Sequence, residues 1–512
     1  MLAKVTSGAT VGLDPVPVDV EVSIESSGFP AFNIVGLPQK GVEEAKERSR
    51  AALKNSSCDF PQRRITVNLA PADFPKEGSS FDLPIALGIL LANKEILADV
   101  SDSIFIGELS LDGTLRATPG VLPLSFLARE KGFKKIFLPK DNAAEASIIP
   151  DIQVMPLESL KELVLYFRGA REIKPISHNP LESLIESSEE RGIKEYVDFA
   201  DVKGQENSKR ALEISAAGGH NAILKGPPGA GKTMLAKAFA SILPRLTVDE
   251  ALEVTKIYSI VGELTPETPV IVTRPFRSPH HTVSRNGIIG GGNHPKPGEI
   301  SLSHRGVLFL DEFAEFPRSV LESLRQPMED GVVTISRASG SLTFPAKFIL
   351  IASQNPCPCG YHRNPKRVCV CSPGTIMRYE KRVSGPILDR IDLQVSVPDV
   401  DIEKLTDENV VSESSSMVRG KVQKARDIQS KRFSGRKITC NAEMGSRDIK
   451  KYCPLDKASK DMLFLALKQM SLSARSYNKA IKIARTIADL GGSENITSNH
   501  ISEALQFRFK DN

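Results

Sequence analysis

The chain has 512 residues, of which 40% are hydrophobic and 25% charged, and its formal net charge is +5. This length suggests two to four domains, and the balance is ordinary for a soluble globular protein. No apolar run approaches the ~18 residues a membrane helix needs. Met1 to Leu13 lacks the basic segment and apolar core of a secretory signal, so a cytoplasmic protein is expected.

Residues 1 to about 170 alternate strand-like and helix-like runs. Val18 to Ile24 alternates apolar and polar positions, as a half-buried strand does, whereas Gly41 to Leu53 has helical spacing. Ile65 to Leu69, Ile104 to Ile106 and Lys135 to Leu138 read as strands. A helix ends over Ala128 to Lys131, and an Asp112-Gly113 turn between Leu109-Ser110-Leu111 and Leu115-Arg116-Ala117 signals a hairpin. This is an α/β domain of its own. Residues 171–198 are polar and carry Pro175 and Pro180, so they read as a linker. A second α/β unit follows over 199–395. The remainder, 396–512, is helical in pattern, with helices expected at Ser414 to Lys431, Arg447 to Lys451, Ser459 to Met470, Ala474 to Leu490 and Ser498 to Phe507. Gly491 and Gly492 stop the fourth of them.

Within the second unit, Gly226-Pro227-Pro228-Gly229-Ala230-Gly231-Lys232-Thr233 matches G-x-x-x-x-G-K-[ST]. An apolar run, Ala222-Ile223-Leu224, precedes it, and a helical pattern from Met234 to Ala240 follows it, which is the context the motif requires. The glycines let backbone N–H groups close around phosphate oxygens at the positive end of the following helix. Lys232 is placed to reach the outer phosphates of ATP, and Thr233 to bind Mg²⁺. Gly306 to Leu310 is an apolar strand ending in Asp311 and Glu312. Carboxylates at the C-terminal end of such a strand suit Mg²⁺ binding (Asp311) and polarisation of the attacking water (Glu312). Phe348 to Ala352 is a buried strand ending in Ser353-Gln354-Asn355, where Asn355 can orient the water. Arg390 and Arg475 are candidate cations for the developing phosphate charge; the alternative for each is a surface salt bridge.

Four of the seven cysteines crowd into residues 356–372, as Cys357-Pro-Cys359 and Cys369-Val-Cys371. Four thiolates can close a tetrahedral Zn²⁺ shell, and an insert too short to build its own core suits a metal staple. His362 could replace one ligand, and a redox switch is the other reading. Arg363, Lys366, Arg367, Arg378, Lys381 and Arg382 surround this segment. A second basic run extends from Arg419 to Lys437, with Asp427 its one acid. Such clusters bind phosphate backbones, or form solvated helix faces or subunit contacts. With no Trp in the chain and no aromatics interleaved, base stacking is not expected, and any DNA binding should be sequence-independent.

These motifs together resemble the Mg-chelatase-like AAA+ ATPases, and most of all their YifB/ComM branch. Further hallmarks of that branch are Arg274-Pro-Phe-Arg-Ser-Pro-His280-His281-Thr282, Gly290-Gly-Gly-Asn-His294-Pro, Asn355-Pro-Cys-Pro-Cys-Gly360-Tyr361 and Leu472-Ser-Ala-Arg475. The resemblance covers nearly the whole chain. It implies a hexameric ring with ATP between subunits, Asn355 as sensor 1, Arg390 as an arginine finger acting on the neighbour, and Arg475 as sensor 2 in a helical lid. It also implies a β-hairpin before sensor 1, over about 331–345, as in the MCM helicases. Val332 to Ser336 and Ser341 to Phe344 alternate suitably, and Arg337 falls at the pore position, a first candidate for a DNA phosphate. The N-terminal domain resembles the Lon protease domain, with Ser80 at the nucleophile position. The partner lysine position falls at about Leu122, so no peptidase dyad is expected. The resemblance thus implies an ATP-driven motor on branched DNA, of helicase or branch-migration type, in natural transformation or recombination, with recombination proteins as possible partners. The alternative is a protein remodeller or metal-chelatase subunit that ignores DNA.

Overall fold

The computed structural model describes residues 1–26, 29–187, 197–292, 295–337, 340–399, 413–470 and 474–508. They fall into two compact units, one of Met1–Glu186 with Val248–Val272, the other of Ser187–Thr247 with Thr273–Asn512. No described helix is long and apolar enough to cross a membrane.

The first unit is built on a mixed seven-stranded sheet, in the spatial order Ala31–Val35, Arg64–Ala70, Asp14–Ile24, Leu2–Val11, Ser103–Phe105, Lys135–Pro139, Gln153–Leu157. Alternation does the sorting: Val18, Val20 and Val22 are fully buried while their neighbours are not. The helix Asp82–Ala92 lies on this face so closely that a Cβ on Gly88 would stand 2.5 Å from Val22. The expected hairpin forms between Glu108–Leu109 and Leu115–Arg116, turning at Gly113 with φ +88°. The expected helix from Gly41 is broken into Lys40–Glu43 and Ala45–Asn55.

Two stretches differ from their sequence reading. The polar segment from 171 is packed at its start: Ile173 is buried in the first unit's core, Ile176 bridges to Val154, and Leu181–Ser187 is helical. Three apolar side chains, Ile173, Leu181 and Ile185, outweigh the prolines there. Residues 188–196 lie outside the described part. The second difference is Val248–Val272, which falls inside the 199–395 stretch yet packs with the first unit. Its helix Val248–Val261 brings Lys256 over the Phe126 ring at 4.2 Å and the Ser259 hydroxyl to the buried Glu145 carboxylate.

The second unit has a five-stranded parallel sheet, in the order Phe276–Arg277, Val307–Leu310, Ile349–Gln354, Ala222–Lys225, Leu393–Ser396. Val307–Leu310 is buried at every position, because helices cover both faces of a parallel sheet and leave no side for water. The helices Ser415–Arg432, Lys457–Met470, Ala474–Leu490 and Ser498–Gln506 follow. Their apolar side chains, Val418, Val422, Ile483 and Ile487 among them, share one core with Phe239 and Phe309. Truncating Phe309 to alanine would cost roughly 3–5 kcal/mol, since a well-packed site collapses only partly.

Candidate nucleotide site

The strand Ala222–Lys225 runs into the glycine-rich loop, and the loop into the helix Lys232–Ser241. Gly229 and Gly231 hold φ of +81° and +84°, and nothing lies within 4 Å of a Cβ built on either. The left-handed backbone and the open space together form a concave row of N–H groups fit for phosphate oxygens. Gly226 is required for another reason: a Cβ there would stand 2.1 Å from the Val397 carbonyl oxygen, where the neighbouring strand passes. Ala230 is buried, and its carbonyl accepts from Gln205 Nε2 at 3.4 Å.

Lys232 is largely buried. Its ammonium donates to the carbonyls of Gly226 and Pro227, at 2.7 Å each, and to Asn355 Oδ1 at 3.0 Å. Burial lowers its pKa, while Asp311, Asp399 and Glu312 pull the other way. The P-loop lysine and Asn355 are therefore already joined. Thr233 Oγ1 donates to Asp311 Oδ2 at 2.9 Å, so the two groups expected to hold Mg²⁺ are adjacent. Ser353 donates its hydroxyl to the other Asp311 oxygen.

Glu312 adopts a left-handed backbone, φ +53°, rare for a residue with a Cβ. Its N–H points to Asp311 Oδ1 at 3.1 Å and Ser353 Oγ at 3.2 Å. The turn separates the two carboxylates: Asp311 faces Thr233, and Glu312 faces the His281 ring, Nδ1 to Oε2 3.7 Å.

Arg390 and Arg475 also meet, but not at the P-loop. Arg390 bonds one oxygen of Glu329, and Arg475 bonds the other at 2.6 Å. Arg390 precedes the strand Leu393–Ser396, whose first residue pairs with Ala222. It therefore lies at the N-terminal edge of the parallel sheet, while the P-loop leaves from the C-terminal edge. The four-residue strand between them spans roughly 13 Å. Lys479, one turn beyond Arg475, pairs with the buried Asp392 at 2.8 Å and fixes the lid helix at the same edge.

The cysteine segment lies against the P-loop. Gly360 has φ +82°, and a Cβ on it would stand 2.3 Å from Pro228 Cδ. The Sγ atoms of Cys357, Cys359, Cys369 and Cys371 all lie within 4.8 Å of one another, three of the pairs at 3.3, 3.7 and 3.6 Å. A tetrahedral zinc with four thiolates has sulfur–sulfur edges of about 3.8 Å, so the four fit such an ion, and none forms a disulfide. The N–H groups of Tyr361 and Val370 hold the Cys359 thiol down at about 6, while burial and the neighbouring sulfurs push Cys369 up to about 12 and raise Cys371, so the four share their charge unevenly.

Profiles for "Magnesium chelatase, subunit ChlI" and its C-terminal part match residues 198–405 and 412–508, and one for "Subunit ChlI of Mg-chelatase" matches 20–142. The chain is 44% identical over 511 residues to "Competence protein ComM" of Haemophilus influenzae, covering 99% of this chain and 97% of that one. It is 41% identical to YifB of Escherichia coli over 514 residues, covering 100% and 97%. The chain belongs to the ComM/YifB family of Mg-chelatase-like proteins. A more distant likeness, 28% identity to the "Magnesium-chelatase 38 kDa subunit" of Rhodobacter capsulatus, covers 31% of this chain and half of that one. The family suggests ATPase activity and implies ATP and Mg²⁺.

For this ComM/YifB member, the remaining predicted residues are distributed as follows. The hairpin exists, Val332–Arg337 against Gly340–Pro345, with Val333 and Phe344 buried at its base and Ser336 and Ser341 exposed near its tip. Arg337 ends the first strand, and residues 338–339 lie outside the described part. Arg363, Lys366 and Arg367 are exposed on the cysteine segment, and Arg367 lies over the Tyr361 ring at 5.1 Å. Within the second basic run, Arg432 pairs with the buried Asp489, Arg436 with Asp448 and Lys421 with the exposed Glu413, and Arg426 donates to the Ala216 carbonyl. In the first unit Leu122, at the expected lysine position, is fully buried. Sequence reasoning missed Glu329 and the position of His281 beside Glu312. His281 lay inside a quoted motif; Glu329 carried no signal.

Proposed function

We propose that the chain is an ATP-hydrolysing motor that assembles as a hexameric ring and moves along branched DNA without reading its sequence, as a helicase or branch-migration enzyme. The observation that carries the reading is the split site. Lys232, Thr233, Asp311, Glu312 and Asn355 stand at one edge of the sheet, and Arg390 and Arg475 at the other. A lone subunit cannot bring those arginines to its own phosphates, whereas a neighbour in a ring can.

In this reading the P-loop N–H groups and Lys232 hold the ATP phosphates. Thr233 and Asp311 would hold Mg²⁺, which supplies charge neutralisation across the outer phosphates. Glu312 orients the attacking water and takes its proton, and Asn355 reports on the terminal phosphate through its bond to Lys232. Arg390 and Arg475 of one subunit meet the charge developing in the next. The cysteine segment holds Zn²⁺ as a structural staple, with Arg363, Lys366 and Arg367 presented to DNA beside it and Arg337 on the hairpin. The name of the Haemophilus relative supports a place in competence, hence natural transformation or recombination in the cytoplasm, alongside recombination proteins.

The test is ATP turnover by the purified chain with and without a forked or four-way-junction DNA, scored with strand displacement. Stimulation and displacement, both lost in Lys232→Ala, are expected. Turnover indifferent to DNA, with no displacement, would replace the reading with a protein remodeller or chelatase-type subunit, which the ChlI profiles would then favour.

A further inference from the structure

Glu329 is the penultimate residue of the helix Arg325–Asp330, three positions before the hairpin strand Val332–Arg337 begins. Nothing in the sequence marks it. Yet it is where two arginines from distant parts of the chain converge, 61 residues away at Arg390 and 146 at Arg475. We propose that Glu329 is a positioning residue for ATP hydrolysis: its carboxylate gathers Arg390 and Arg475 into one two-guanidinium claw set for the terminal phosphate of a neighbouring subunit's ATP. The inference rests on the ring-ATPase reading and adds a residue to it.

Three observations support more than a casual surface contact. First, the bridge uses both oxygens, Oε2 to Arg390 and Oε1 to Arg475. Two oxygens of one carboxylate set two guanidinium groups at nearly the separation that two oxygens of one phosphoryl group ask for, so the claw is spaced for its substrate before meeting it. Second, one partner is held firmly. The Arg390 side chain is 10% exposed and also donates to the Pro386 carbonyl at 2.7 Å, and Arg475 at 49% exposure is the freer arm. Without the acid, two like charges this close would part, and the freer arm would leave. Third, both arms are anchored behind the claw by the ion pair of Asp392, two residues after Arg390, with Lys479, four after Arg475. Glu329 sets the front of an assembly whose back is already fixed.

Because the claw is spaced for charge that develops only as the terminal phosphate is transferred, Glu329 should affect the chemical step and leave nucleotide binding nearly alone. A residue that merely stabilised the unit would move both. The experiment measures kcat, KM and fluorescent-ATP affinity for the full-length wild type, Glu329→Gln, Glu329→Asp, Arg475→Ala and the Glu329→Gln/Arg475→Ala double variant, with melting temperatures alongside. Expected are an at least ~10-fold fall in kcat for Glu329→Gln at unchanged ATP affinity and melting temperature, and a double variant no slower than Arg475→Ala alone. Glu329→Asp, which keeps the charge on a shorter arm, should recover part of the loss, and it stands in should Glu329→Gln fail to fold. An unchanged or raised kcat in Glu329→Gln, a matching fall in ATP affinity, or additive losses in the double variant would overturn the proposal while wild-type turnover upholds the ATPase reading. A wild type that hydrolyses no ATP would remove that reading and the claw with it.

Discussion

At the scale of single residues, one backbone angle decides what the acidic pair can do. Two consecutive residues on an extended strand would point to opposite faces. The left-handed turn at Glu312 ends the strand at once and leaves Asp311 against Thr233 while Glu312 turns toward His281. Different roles follow for the two. Glu312→Gln keeps the shape, the Asp311–Thr233 contact and the Lys232–Asn355 bond, so it should bind ATP normally and turn it over at least ~100-fold more slowly. Lys232→Ala removes the one cation buried among the loop carbonyls and should lose binding itself. Fluorescent-nucleotide titration with steady-state turnover separates the two, and normal turnover in Glu312→Gln would assign the base elsewhere. The loop that frames them was legible because the chain writes it contiguously, from Gly226 to Thr233. Glu329 was not, because its meaning lies only in which arginines the fold delivers to it.

At the scale of elements, the cysteine segment and the P-loop form one mechanical piece. Gly360 touches Pro228, and Asn355, two residues before Cys357, bonds Lys232. A staple that fixes the four sulfurs therefore also fixes Asn355 and the outer wall of the loop. The Cys359→Ser/Cys371→Ser double variant should lose about one zinc per chain by metal analysis, and its ATP affinity should weaken roughly 10-fold because ordering the loop is then charged to nucleotide binding. Zinc lost with ATP affinity intact would leave the metal structural but separate the two sites. Gly360→Ala, which forces a Cβ into Pro228, should reproduce the nucleotide defect with zinc retained. Elements were readable to the extent that one face of each was apolar: Ala474–Leu490 was bounded correctly by its periodicity and the glycines after it. Which cations of the run beyond Arg419 are paired was not legible, because pairings such as Arg432 with Asp489 depend on acids far away in sequence.

At the scale of the whole molecule, the division into units was the part least visible in sequence. Val248–Val272 carries no mark of belonging to the first unit; contacts such as Lys256 on Phe126, Ser259 on Glu145 and the Gly120 N–H on the Ser259 carbonyl assign it there. The two units also carry buried charges of opposite consequence. In the first, burial raises Asp82 to about 6, against the pull of Arg48 and the Leu109 N–H. Its folded value exceeds the unfolded one, so the ionised form costs stability above about pH 6, and the cost, roughly 2–3 kcal/mol, is relieved as pH falls toward 4. In the second, burial lowers His220, which stands between Thr486 at 2.8 Å and Asp392 at 3.5 Å, with Lys479 and Lys482 disfavouring its proton. The unfolded chain takes that proton below about pH 6.5 and the native one resists, so stability drains from this unit as pH falls through 6.5. Asp392, held below the usual carboxylate range by Lys479 and His220 despite its burial, adds its own loss only nearer pH 4. Segment-resolved hydrogen exchange between about pH 7.5 and about pH 5, corrected for intrinsic rates, should show protection falling in Ala474–Leu490 while Asp82–Ala92 holds or gains. His220→Gln, which can still bond Thr486 without titrating, should flatten the response of the second unit alone. A parallel fall in both helices would mean that the units unfold as one cooperative body, and the opposed titrations would then cancel instead of separating.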